Sequence, residues 1–429
     1  MEMTKYKLGD LCRIASSKRI FESEYVEKGV PFIRGQEISD GSILDPKASF
    51  ECYISQSRYE EIKEKYGKPT KGDILITAVG TIGNLCYLDK DIDFYFKDGN
   101  VIWFSEIISS CEGKFLFHFM KSSFFKDQLK YFMIGAVQKA LTIDMLKKVE
   151  VPLPPLSEQK KIAAVLSSLD DKIALNKKMN QKLKAMAKRL YDYWFVQYDF
   201  PDKNGYPYKT TGGPMTYNPT LKREIPVGWE VAPISEFIEK NFNGEWGKEE
   251  ASEDDIRVHC VRGADIVDMV DMPVRYISTK KKDRILNPND IIVEISGGSP
   301  TQSTGRATFV TRNTLNRFDS PMTCSNFCQI IRLKDAKSAS YFFEMWQKFY
   351  ASDIFFNFEG KTSGIKNFQT DSFIATPWAH PPKELMYKFD EMYQSFMKKK
   401  ERLIAENQKI TTLRDKLLPL LMNGQVTII

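Results

Sequence analysis

A chain of 429 residues, 42% apolar and 13% aromatic, is too long for one ordinary core and too apolar to stay disordered, so two or more folded domains are expected. No apolar run approaches the roughly 18 to 20 residues that span a bilayer, and the opening stretch MEMTKYKLGDLCRI lacks a basic segment, an apolar core and a small-residue cleavage site. Membrane-spanning and secreted classes are thereby set aside, and a soluble, cytoplasmic protein is expected. The net charge of +6 suits a polyanionic partner but also many ordinary cytosolic proteins, and the seven cysteines, with no CxxC pair, fit reduced thiols. Cys324 and Cys328 have a spacing open to metal ligation but no second pair beside them.

Residues 1–154 read as a first globular domain. Short β-rich runs, DILITAV from Asp73 and NVIWFS from Asn100, are set off by turn residues, and helical patches fall at 58–66 and 113–133. The chain then changes character in VPLPPLSEQKKIAAVLSSLDDKI. Pro152, Pro154 and Pro155 hold it extended, Ser157 is the expected N-cap, and Glu158 lies in the first turn of a long helix assigned to 155–196. Ile162, Leu166, Leu169, Ile173, Asn176, Asn180, Leu183, Ala187, Leu190 and Trp194 alternate in steps of four and three, the spacing of a coiled-coil seam. Helical from Ser157 to Phe195, the segment would extend about 58 Å at about 1.5 Å per residue. It carries nine basic and four acidic residues, an excess that suits a DNA backbone, an acidic partner or simply a solvated face. Tyr191, Tyr193, Trp194 and Phe195 crowd its end and are expected to be core rather than a stacking platform.

Residues 197–227, rich in Gly, Pro, Asn, Thr and Lys, read as a linker long enough to return the chain across the molecule. A second globular domain is expected at 228–380, with β-rich runs DIIVEIS and FCQIIRL and a helical patch at 339–356. A second long helix follows at 381–424. Leu385, Phe389, Met392, Phe396, Lys399, Leu403, Glu406, Ile410, Leu413, Leu417 and Leu420 keep the four-three spacing, again with polar residues in the middle. Asn176 and Asn180 either face Lys399 and Glu406 and fix the register of an antiparallel pair, or rotate out to solvent.

The two halves repeat one another. VPFIRGQEIS around Arg34 matches VHCVRGADIV around Arg262, KGDILITAVGTIGN matches PNDIIVEISGGSPT, and GNVIWF matches SNFCQIIRL. The stretch from Gly135 to Pro152 matches that from Gly360 to Pro377, all in the same order. The expected class is therefore α+β: two duplicated globular domains separated by two long antiparallel coiled-coil helices, with pseudo-twofold symmetry.

VPLPPLSEQKKIAAVLSSLDDKI, the linker DFPDKNGYPYKTTGGPMTYNPTLKREIPVGWEV, the run GDILITAVGTIGN and the duplicated layout together resemble the specificity (S) subunits of type I restriction-modification systems, over nearly the whole chain. The second copy departs from the pattern, having no Glu-Gln after its prolines. The resemblance implies a subunit without catalysis of its own. Its two target recognition domains each meet one half of a split target in double-stranded DNA. Its helices fix their separation and dock two modification subunits. Those subunits, not this chain, would bring S-adenosylmethionine and methylate adenine, while a restriction (motor-nuclease) subunit cleaves; no cofactor, metal or membrane is implied for the chain itself.

The residues agree through what they lack. No Asn-Pro-Pro-Tyr or Asp-Pro-Pro-Tyr stretch is present to hold an extruded adenine, and no Gly-Lys-Ser/Thr follows the Gly-rich run at Ser296. His118 is expected to pack in a helix and His259 to lie in a strand. For contact with DNA, side chains able to reach phosphates or base edges from loops are needed. In the first domain these are Arg34, Gln36, Thr77, Thr81, Gln138 and Lys139, and in the second Arg262, Ser296, Ser299, Gln302, Lys361 and Ser363. Other roles are open to them: pairing with a carboxylate, Glu37 or Asp265, for Arg34 and Arg262, and a place in a solvated loop for Gln138 and Lys139. An assembly scaffold that binds no DNA, and an enzyme with its site between domains, are the competing classes.

Overall fold

The computed structural model describes residues 3–45, 48–133, 140–267, 269–297, 299, 301–362 and 365–428, with backbone alone at 361 and 362. The chain divides into two compact units: Met1–Ala174 with Asn407–Ile429, and Leu175–Glu406.

In the first unit, a four-stranded antiparallel sheet runs in the order Arg13–Ser16, Val101–Ser105, Ile74–Thr77, Leu85–Tyr87. Its two middle strands are buried at every position, as a short unbroken apolar run requires. A smaller sheet joins Tyr25–Val26, Tyr53–Ile54, Val30–Ile33 and Tyr95–Phe96. Strands Thr4–Lys7 and Glu150–Leu153 pair antiparallel, bringing the two ends of the domain together. Helices Gly113–Lys121 and Ser123–Met133 pack their aromatic faces on the main sheet in one core with Ile162, Ala163 and Leu166 of the first long helix and Leu418, Leu421 and Met422 of the second.

The second unit has the same strand order. Ile238–Asn243, Cys328–Leu333, Ile291–Glu294 and Ala307–Phe309 form its four-stranded sheet, and Glu230–Pro233 pairs with Pro377–His380 where the first unit pairs its own ends. A three-stranded sheet, Val274–Ser278, Asp255–Val261 and Met322–Cys324, and a hairpin, Glu359–Thr362 with Ile365–Phe368, complete it. Its aromatic core gathers Tyr191, Trp194 and Phe195 of the first long helix with Tyr341, Trp346, Phe389 and Tyr393, whereas Tyr193 is exposed.

Two matched motifs owe their form to a buried carboxylate. Asp73 accepts from the backbone N–H of Thr70 at 2.8 Å and from Trp103 Nε1 at 2.9 Å. Asp290 accepts from Asn287 N–H at 2.7 Å and from Arg332 at 2.7 and 2.9 Å. In each case the acid closes the turn before the second strand of the sheet and ties it to its neighbour, satisfying donors that burial would otherwise strand.

The first long helix spans Leu156–Tyr191 and ends in a wider π turn at Asp192–Val196; the second spans Lys383–Met422. Ser157 is not the cap. The carbonyl of Pro155 receives the N–H groups of Glu158 and Gln159 at 2.9 and 3.1 Å, so Ser157 already lies inside the helix. In the first helix Ile162, Leu166, Asn176, Leu183, Ala187 and Trp194 are buried, with Leu169, Ile173, Asn180 and Leu190 partly so. In the second helix Leu385, Phe389 and Leu403 are buried and Phe396, Ile410 and Leu417 partly so. Met392 and Leu413 are corrected: they are 41% and 49% exposed, and Tyr393 and Arg414 turn inward instead. Within the first unit Arg414 Nη1 meets Asp170 at 2.8 Å and Asn407 Nδ2 reaches the carbonyl of Ile173 at 3.3 Å. Within the second, Asn176 Nδ2 donates to Glu406 at 3.0 Å, while Lys399 is exposed. The linker is also corrected: it is not all loop, because Met215–Asn218 and Arg223–Pro226 form a hairpin.

Candidate nucleic-acid interface

Each unit sets a short turn against a loop that follows the second strand of its main sheet. In the first unit the turn is Gly35–Ser39 and the loop runs from Ala78 to Asn84. Gly80 and Gly83 take φ of 71° and 89°, left-handed values that let the loop double back tightly. Gln36 and Thr81 are exposed, and Asn84 Nδ2 donates to Ser39 Oγ at 2.6 Å, joining turn to loop. Thr77 is a correction. It is 1% exposed, its hydroxyl donates to the carbonyl of Thr81 at 2.5 Å and accepts from Asn84 N–H at 3.0 Å, so it shapes the loop and has no free face for a ligand.

Arg34 lies between Glu37, at 3.7 Å, and Glu51, to which its guanidinium also donates. In the second unit Arg262 is bidentate on Asp265, at 2.8 and 2.9 Å. Both arginines are thus engaged in carboxylate pairs at the head of the turn, and in each the arginine backbone N–H also donates to the acid three residues on, Glu37 or Asp265. At Gly263 a Cβ would lie 2.2 Å from Glu294 Oε1, so that carboxylate would have to move, whereas at Gly35 the nearest atom, Thr77 Cγ2, is 3.5 Å away.

The loop of the second unit is longer and better braced. Ser296 Oγ donates to Asn367 at 2.6 Å, and Ser299 Oγ accepts from Gln302 N–H at 3.1 Å, leaving the Gln302 side chain exposed. Thr304 gives both its N–H and its hydroxyl to Glu359, at 2.7 and 3.1 Å, and Lys366 pairs the same acid at 3.1 Å. Arg306 ties the loop to the turn, meeting Glu294 at 3.2 Å and the carbonyl of Gly263 at 2.6 Å. Glu51, Asn84, Glu294, Arg306, Glu359 and Asn367 were not picked out from sequence, since their partners lie far away along the chain. Lys361 contributes backbone to the bracing hairpin, and its side chain lies outside the described residues, as do Gln138, Lys139 and Ser363.

Further cations stand on the second unit. Arg275 stacks over Trp246 with its guanidinium 4.5 Å from the ring centre, and Lys280, Lys281 and Lys282 crown the turn Thr279–Arg284. Asp319 accepts from Arg257 at 2.8 Å and from His259 at 3.0 Å, and those bonds, Arg257 first, hold its carboxyl down to about 2. Among the described residues no group of His, Cys, Asp and Glu is placed to hold a metal ion, and no helix is long and apolar enough to cross a membrane. The seven cysteines are free.

Residues 1–185 match the family model of the type I restriction modification DNA specificity domain. The first part of the chain is thus similar to type I specificity domains. Over 453 aligned residues, covering 99% of this chain and 97% of the relative, the sequence is 26% identical to the type I restriction enzyme MjaIX specificity subunit of Methanocaldococcus jannaschii. A putative type I specificity subunit of Haemophilus influenzae, S.HindORF215P, is 34% identical over 173 residues, covering 39% of this chain and 41% of that one. The crystal structure of a type I S subunit from M. genitalium superposes with a TM-score of 0.55 at 14% identity, covering 98% of this chain and 96% of the other, a likeness of fold.

Proposed function

We propose that this chain is the target-reading subunit of a type I restriction-modification system. Each unit carries one target recognition domain, within 1–154 and 228–380, and each reads one half of a split sequence in duplex DNA. The helices at 155–196 and 381–424 pair as a coiled coil, set the number of unread base pairs between the half-sites and dock two modification subunits. Those subunits supply S-adenosylmethionine and the methyl transfer to adenine, and a restriction subunit supplies cleavage; the present chain does neither.

The observation that carries the reading is the repeated plan. Two units with one strand order, one way of pairing their ends and one turn-and-loop arrangement suit the two halves of a bipartite site. Duplication accounts for that agreement more simply than separate origins do. The exposed side chains of Gln36 and Thr81 in one unit and of Gln302 in the other, with the half-buried Ser299, are of the types that hydrogen-bond base edges. Lys280, Lys281 and Lys282 of the second unit are of the type that meets phosphates.

Mapping methylated adenines in the DNA of cells with and without this chain tests the proposal. Two short motifs separated by a fixed number of unread bases are expected, and they should vanish with the chain. A single uninterrupted motif, or a methylation pattern indifferent to the chain, would overturn it and favour a scaffold that binds no DNA.

A further inference from the structure

The interval along the chain from His118 to Glu344 equals that from Ser167 to Tyr393 and that from Lys188 to Arg414. These residues occupy matching places in their own units. His118 and Glu344 sit at equivalent positions of the aromatic helices Gly113–Lys121 and Ala339–Ala351, and both are buried, at 2% and 6% exposure. Each meets a long helix through the matching partner: His118 Nε2 lies 3.0 Å from Ser167 Oγ, and Tyr393 donates its hydroxyl to Glu344.

The two joints are not equally complete. In the first unit Asp170 receives Lys121 and Arg414, each at 2.8 Å, with His118 Nδ1 3.9 Å away, and Arg414 also meets Asp415 at 2.8 Å, so two acids answer the two cations. In the second unit the place of Asp170 is taken by Phe396 and that of Arg414 by Lys188. Among the described residues neither Lys188 nor its neighbour Lys184 forms an ion pair. Beside them lies a cavity of about 530 Å³, walled by Phe309, Phe343, Tyr350 and Met397, with Glu344 and Tyr393 on its lining. That volume falls within the usual range of small-molecule sites, roughly 300–1,000 Å³.

We propose that this cavity is a binding site for an aromatic organic anion, whose charged group pairs with Lys184 and Lys188 and whose ring system lies among the aromatic walls. The anion supplies the charge that Asp170 supplies in the first unit. The other charged groups of the lining are already matched: Lys348 with Asp192 at 2.8 Å, Arg306 with Glu294 at 3.2 Å and Arg317 with Glu401 at 3.4 Å. Lys400 also lines the cavity and has an interaction of its own.

Glu344 gives the site a proton dependence. Burial pushes its carboxyl up to about 7, against the pull of Lys184, the Tyr393 hydroxyl and Lys188 and with a small push from Asp192. An arriving anion opposes ionisation further, so binding takes up a proton and weakens as pH rises through about 7.

Anilinonaphthalene sulfonate, an aromatic anion that fluoresces on leaving water, is titrated into the full-length chain. Saturable binding at one site per chain is expected, weakened roughly tenfold or more by Lys188→Glu through charge reversal. It should be blocked by Ala185→Trp, which fills the cavity mouth from an exposed helix position. Glu344→Gln should bind the probe with little change between about pH 6 and about pH 8, while the parent chain loses affinity across that span. Thermal unfolding of each variant establishes that it is folded. Affinity untouched by both Lys188→Glu and Ala185→Trp, or a pH dependence that survives Glu344→Gln, would overturn the assignment. Neither DNA nor a partner subunit enters this experiment, so its failure leaves the DNA-reading proposal standing.

Discussion

Gln159 is fully buried, and both ends of its amide are hydrogen-bonded. The oxygen accepts from Glu112 N–H at 2.7 Å, and the nitrogen donates to the carbonyls of Ser110 and Pro154 at 2.9 and 2.8 Å. A carboxylate there would face two carbonyls, and an alanine would strand a buried donor and two acceptors. Gln159→Ala is expected to cost about 3 kcal/mol in urea unfolding of the intact chain, because each unmet buried group costs about 1–3 kcal/mol. Lys160→Ala, one residue on and exposed, should stay within about 0.5 kcal/mol. The second unit has Leu385 at the matching place, buried in an aromatic core, so its joint is apolar where the first is hydrogen-bonded. The Glu-Gln pair was legible as a motif, but its role was not, since two of the three backbone partners of Gln159, at Ser110 and Glu112, lie in a different segment.

His118 and Glu344 respond to pH in opposite senses. Burial, followed by Lys121, holds the imidazole down to about 4 from 6.5, so the folded chain keeps it neutral while the unfolded chain takes up a proton. Its contribution to stability is full above about 6.5 and is lost as pH falls toward about 4. Glu344, lifted to about 7 from 4.5, stays protonated in the fold where the unfolded chain has released its proton. Its contribution is full below about 4.5 and declines as pH rises through about 7. Glu344→Gln should therefore stabilise the chain by up to about 3 kcal/mol above neutrality and by little near pH 4.5, given about 1.4 kcal/mol per pH unit. Urea unfolding at a series of pH values measures this directly, and a gain that is the same at every pH would contradict it.

At the scale of elements, the helices and central strands were readable because their apolar periods are strong, and the turns around Asp73 and Asp290 because Gly-Asp and Asn-Asp mark them. The inward face of the second helix was misread by one residue at Met392 and again at Leu413. A four-three pattern admits two adjacent stripes when Met392 and Tyr393, or Leu413 and Arg414, stand side by side, and only packing chooses between them. The structure chose the larger ring at one place, where Tyr393 fits against Phe309 and Phe389, and an ion pair at the other. Tyr393→Ala is expected to cost about 3–5 kcal/mol as a large core truncation, whereas Met392→Ala should change stability by no more than about 0.5 kcal/mol. Equal losses in thermal or urea unfolding would restore the other stripe. Loop bracing was not readable at all: Glu359 holds Thr304, and Arg306 holds Gly263, through contacts that no local pattern announces.

At the scale of the molecule, the shared order of motifs in the two halves was legible in the sequence, and the main sheets of the two units have the same strand order. The break between compact units falls at Ala174–Leu175 in one long helix and at Glu406–Asn407 in the other, so chain inserted there disturbs the contacts of neither unit. If the helices set the gap in the target, adding one seven-residue apolar-polar repeat at both points lengthens the spacer by about 10 Å at 1.5 Å per residue. Seven residues also keep each helix facing its partner to within about 20°. The unread gap between half-sites should then grow by about three base pairs, at 3.4 Å each, with the bases of both half-sites unchanged. Adenine-methylation mapping with the lengthened chain measures gap and bases together. An unchanged gap would remove the helices from the role of spacer, and new half-site bases would mean that base choice is not confined to the two turn-and-loop sites, since those sites are left intact.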